Sequence, residues 1–103
     1  EKFNLVGRAP TLNWLMFHGE GRSDVTLTYD ERTAVRPDPE NRRHYRYQIQ
    51  GPNAANVIAD ATGQPAPDLK FFNMCWMTIG GCQVHALRHG MAGQPGYELM
   101  GPW

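Results

Sequence analysis

The sequence predicts an α+β fold, with helices covering one face of an antiparallel sheet in a split β-α-β order and a hairpin appended at the C-terminal end. Three features carry that expectation. Residues 24–30, His44–Gln50 and Cys82–Arg88 alternate apolar and polar side chains with the period of two that puts neighbours on opposite faces of a strand. Two short stretches, one after Pro10 and one after Asn53, carry apolar residues at the 3 and 4 spacing of a half-buried helix. Glycine and proline separate these segments at short intervals.

Taken in order, residues 3–6 form a short apolar run that reads as a buried strand, broken by Gly7. Pro10 suits a first helical turn, where a missing N–H costs nothing. Leu12, Leu15 and Met16 then form a stripe that Trp14 and Phe17 widen, and Gly19 and Gly21 end the helix. Residues 24–30 follow as a strand with Val25, Leu27 and Tyr29 on one face. Residues 31–43 are polar, contain Pro37 and Pro39 and read as a hairpin loop. Arg42, Arg43, His44 and Arg46 have acidic neighbours Asp38 and Glu40, so the cluster reads as a solvated loop base. A strand at His44–Gln50 precedes a second helix carried by Ala54, Val57, Ile58 and Ala61 and stopped by Gly63. Residues 71–79 are aromatic and apolar, Gly80-Gly81 turns the chain tightly, and Cys82–Arg88 returns. A loop with Gly90, Gly93 and Gly96 leads into a last strand, where Tyr97 and Leu99 share one face and Glu98 and Met100 the other. The order corresponds to a ferredoxin-like arrangement.

At 103 residues the chain is expected to be one domain, 1–103, with a single modest core. Ten basic residues balance ten acidic ones, so neither nucleic acid nor an anionic membrane is an expected partner. No apolar run reaches membrane-spanning length. Two cysteines are too few for a disulfide scaffold, which points to the reducing cytoplasm. The chain begins in strand-like sequence without an initiator Met and stops at Trp103, and it reads as an interior piece of a longer protein. Surface exposed by that truncation could pair copies into an oligomer.

Cys82, His85 and His89, with Cys75 nearby, superficially suit a zinc site. Cys82 and His85 stand an odd number of residues apart and face opposite ways on a strand, so no metal site is expected. Cys75 among Met74, Trp76 and Met77 reads as a buried, inert thiol. No nucleophile elbow, Walker loop or dinucleotide glycine pattern is present.

Pro52-Asn53-Ala54 after Ile49-Gln50-Gly51, then Asp68-Leu69-Lys70-Phe71-Phe72, then Arg88…Gly90…Gly93…Gly96-Tyr97-Glu98 resemble the folate-binding domain of the glycine-cleavage T-protein family. Phe3-Asn4-Leu5-Val6-Gly7-Arg8-Ala9-Pro10, Leu69-Lys70-Phe71-Phe72-Asn73-Met74 and Arg88-His89-Gly90-Met91-Ala92-Gly93-Gln94-Pro95-Gly96-Tyr97-Glu98 are similar to one branch of it. That branch is the tetrahydrofolate-dependent aryl O-demethylases acting on vanillate, 3-O-methylgallate or syringate. Met91 and Gln94-Pro95 stand where aminomethyltransferases typically carry Tyr and Glu-Asp.

The resemblance implies methyl transfer from a methoxylated aromatic acid to tetrahydrofolate. It implies that Glu98 binds the pterin, whose adjacent N3–H and 2-amino group match a carboxylate accepting two bonds. Val6 is implied to lie against the pterin, with Asn4 a weaker contact. Arg88 is expected to brace the loop or stack beside the ring. Arg8 is implied to hold the carboxylate of the aromatic acid, which its planar fork suits. Gly90, Gly93 and Gly96 would let backbone approach the flat ring. No residue here is assigned as the proton donor to the leaving phenoxide. The alternatives are aminomethyl transfer in glycine cleavage and a folate-binding module without turnover.

Overall fold

The computed structural model describes residues 1–30, 40 and 42–103, arranged as two units, Glu1–Arg32 and Thr33–Trp103. The expected hairpin loop at 31–43 falls outside the described residues apart from Glu40, Arg42 and Arg43.

In the first unit one helix, α1 (Ala9–Gly19), forms where the proline places it. Arg8 caps it in an extended conformation, and its carbonyl accepts the N–H groups of Thr11 (3.0 Å) and Leu12 (3.2 Å). Its apolar stripe is not buried: Leu12 is partly covered, while Trp14 and Phe17 are largely exposed. Residues 3–6 and 24–30 do not form the expected strands. A strand is stable only when its N–H and C=O groups meet a neighbouring ladder. Among the described residues neither segment has one. Leu27 instead lies so close to Gly19 that any β-carbon there would collide with it.

The second unit holds a four-stranded antiparallel sheet, with β1 (His44–Gln50), β2 (Met74–Ile79), β3 (Cys82–Arg88) and β4 (Gly96–Pro102) in the order β1-β4-β3-β2. The helix α2 (Ala54–Thr62) follows β1 and ends at Gly63, whose φ of 68° is the left-handed value that closes a helix at little cost to glycine. Of the residues expected to anchor α2, Ala54 and Ile58 are buried, whereas Val57 and Ala61 are exposed.

Ile58, Val84, Ala86, Tyr97 and Leu99 form the core, with Tyr45, Ile49, Ala66, Cys75, Met77 and Ile79 packed around it. All the strand residues in that set have the same parity in the ladder, so they occupy one face of the sheet. The Tyr97 hydroxyl leaves the core by donating to the Pro67 carbonyl at 3.0 Å. The α+β class, the antiparallel sheet and the Gly80-Gly81 hairpin are as the sequence predicts.

Candidate functional site

The opposite face of the same sheet carries the candidate site. Glu98 on β4 stands beside Gln48 on β1 and Leu87 on β3, and Arg46 is its diagonal neighbour, opposite Met100. The Glu98 side chain is only 12% exposed, so it is not a solvated strand carboxylate. Its Oε1 lies 2.9 Å from His89 Nδ1, and its Oε2 lies 3.7 Å from Arg46 Nε. A carboxylate oxygen can only accept, so the imidazole Nδ1 carries the hydrogen.

His89 reaches Glu98 because the β3–β4 ladder runs one residue past β3. The His89 N–H donates to the Gly96 carbonyl at 3.1 Å, which puts His89 on the face of Leu87 and Glu98. The Arg88 guanidinium points to the other face, donates to that same carbonyl at 2.8 Å and lies 5.0 Å from the Tyr97 ring centroid. Arg88 thus braces the loop.

The glycines serve the loop itself. A β-carbon on Gly96 would stand 2.7 Å from the carbonyl oxygens of both Ile49 and His89, and one on Gly90 would overlap the Gln94 carbonyl. These two glycines let backbone approach backbone, while Gly93 supplies a turn at φ 71°. Gly90, Gly93, Gln94 and Pro95 then line an open depression with Arg88 and Phe71.

Phe71 and Phe72 border the His89–Glu98 pair. Both are more than half exposed, they meet edge to face at 4.7 Å, and their centroids lie 5.9 and 5.2 Å from that of His89. The turn beneath them holds Phe72 at φ 63°, unfavourable for a bulky side chain. Reciprocal backbone bonds sustain it, Phe72 N–H to the Arg88 carbonyl at 2.8 Å and Arg88 N–H to the Asn73 carbonyl at 2.9 Å.

The structure therefore groups Glu98 with four residues that the sequence reading did not assign to the site, His89, Arg46, Phe71 and Phe72, while Arg88 supports the neighbouring loop from the other face. Arg46 is not a loop base but a β1 residue facing the acid. Alternation through 85, 87 and 89 against 98 and 100 was the signal that would have placed His89. Val6 and Arg8 lie in the first unit, both exposed, so Val6 is not a core residue there. Among the described residues no three His, Cys, Asp or Glu side chains gather as a metal site. Cys75 is half-buried, and burial pushes its thiol pKa up, while Cys82 is exposed. No helix among the described residues is long and apolar enough to cross a membrane.

No family model matches the chain. Over 103 residues it is 64% identical to the syringate O-demethylase of Sphingobium sp. (strain NBRC 103272 / SYK-6), an alignment covering 99% of this chain and 22% of that protein. It is 25% identical over 103 residues to the aminomethyltransferase of Halothermothrix orenii, covering 96% of this chain and 26% of that protein. The aminomethyltransferase of Halalkalibacterium halodurans is 40% identical over 52 residues, 50% of this chain and 14% of that protein. The chain thus spans about a quarter or less of the length of these relatives.

Proposed function

We propose that this chain, which belongs to the family of syringate O-demethylase and the aminomethyltransferases, is the folate-gripping part of a tetrahydrofolate-dependent aryl O-demethylase. The observation that carries the reading is the Glu98 carboxylate. Each of its oxygens faces one protein donor, His89 on one side and Arg46 more loosely on the other. A carboxylate offers about four lone-pair sites, so two remain, one on each oxygen. That is the complement of two adjacent N–H donors on one edge of a flat ring. The exposed faces of Phe71 and Phe72 beside it suit an aromatic ligand, so the residues present fit a reduced pterin.

Bound there, tetrahydrofolate supplies the N5 amine that accepts a methyl group. The chain's own residues do the positioning. Glu98 sets the ring's edge, and Arg88 holds the loop beside it. Arg8, in the extended residue before α1, pairs with the carboxylate of a methoxylated aromatic acid through its planar guanidinium. Alignment of donor and acceptor can supply much of the rate gain for such a displacement. Two unpaired cysteines, Cys75 and Cys82, support a reducing cytoplasmic location.

In the full-length protein, Glu98→Gln is expected to weaken tetrahydrofolate binding by about 1.5–3 kcal/mol, roughly ten- to a hundredfold in Kd. Calorimetric titration reads this directly, and an unchanged Kd would remove Glu98 from the site. The 40% identity over 52 residues to an aminomethyltransferase favours a second reading, aminomethyl transfer. Assaying the full-length protein for methyl-folate formation from syringate or vanillate, against aminomethyl transfer from a lipoyl carrier, separates the two. Binding of folate with neither activity would mark a non-catalytic module.

A further inference from the structure

We propose that His89 is a positioning residue, whose Nδ1–H fixes the orientation of the Glu98 carboxylate that the proposed folate site depends on. A glutamate side chain has three rotatable bonds, and its carboxylate plane is the least restrained of them. A ligand that needs two parallel acceptors requires that plane to be set before binding, since ordering it afterwards detracts from affinity.

The structure supplies the restraint from several directions. His89 Nδ1 stands 2.9 Å from Oε1, a good hydrogen-bond distance, and the pair is mostly covered, with side-chain exposures of 20% for His89 and 12% for Glu98. Its backbone is held by the extra ladder bond to Gly96, and its ring packs against the edge of Phe72 at 5.2 Å and near Phe71 at 5.9 Å. The imidazole therefore cannot swing away without leaving both contacts. Among the described residues Arg46 also faces the acid, but at 3.7 Å from an exposed strand position it attracts without dictating direction. The direction comes from His89.

The inference rests on the functional reading above, and the test separates the two. Full-length wild type, His89→Ala and His89→Asn are titrated with tetrahydrofolate, and thermal melting checks that each is folded. His89→Ala is expected to raise Kd about tenfold. Asn carries a side-chain N–H near the imidazole Nδ1–H, so His89→Asn should return Kd to within about threefold of wild type. In turnover assays the loss should fall on KM for folate and leave kcat at saturation nearly unchanged. A His89→Ala protein that binds like wild type, or Ala and Asn variants equally impaired, would overturn the proposal.

If wild type itself does not bind tetrahydrofolate, the functional reading fails, and the His89–Glu98 link is then decided by proton NMR of histidine-labelled protein. A slowly exchanging Nδ1–H signal from His89 should be present in wild type and lost in folded Glu98→Ala. Its persistence in that variant would refute the link.

Discussion

Glu98 shows how far local pattern reaches. Alternation places it correctly opposite Tyr97 and Leu99, and those two are indeed buried, at 4% and 7% exposure. Its partners were not legible, because Arg46 lies 52 positions earlier and meets it only through strand pairing. His89 was hidden for a different reason. It follows the last regular strand residue, and only the bond to the Gly96 carbonyl keeps it on the strand's face. The two cysteines differ in the same contextual way. Burial raises the Cys75 thiol pKa, so the reactive thiolate is scarcer there than for an ordinary cysteine at a given pH. Iodoacetamide near pH 8, followed by peptide mass mapping, should modify exposed Cys82 well before Cys75, and the gap should narrow as pH rises.

Elements form where sequence period and a partner coincide. β1 and β3 have the boundaries that alternation predicts, and α2 ends at its glycine, since each finds neighbours in the sheet or core. The apolar run at 3–6 and the alternating segment at 24–30 find no ladder among the described residues, so sequence pattern alone did not make them strands. The β1–β4 junction is tested by Gly96→Ala. An added methyl would press on two carbonyl oxygens at 2.7 Å, and overpacking of that kind costs about 1–3 kcal/mol. Urea unfolding should show a lower midpoint. Because His89 donates to the Gly96 carbonyl, the same variant should also weaken folate binding, which a purely global destabilisation would not do under folded conditions.

At the scale of the second unit, the hydrophobic core and the candidate site sit on opposite faces of one thin sheet. Among the described residues Ile58, fully buried against the core face, is the most completely enclosed large side chain. Ile58→Ala should cost about 2–5 kcal/mol, read as a lowered denaturation midpoint with hydrogen exchange accelerated across β2 and β4, on which α2 packs. The α+β class and antiparallel sheet could be read from the chain, whereas the strand order β1-β4-β3-β2 could not, being set by contacts remote in sequence. That order also ties the acid to the hydrophobic residues beside it. If β4 slipped by one position against its neighbours, the carboxylate would turn inward while Tyr97 and Leu99 turned out to water. A misaligned chain would forfeit its oil-like interior together with the proposed ligand grip, so correct folding and a correctly aimed acid are inspected in a single step.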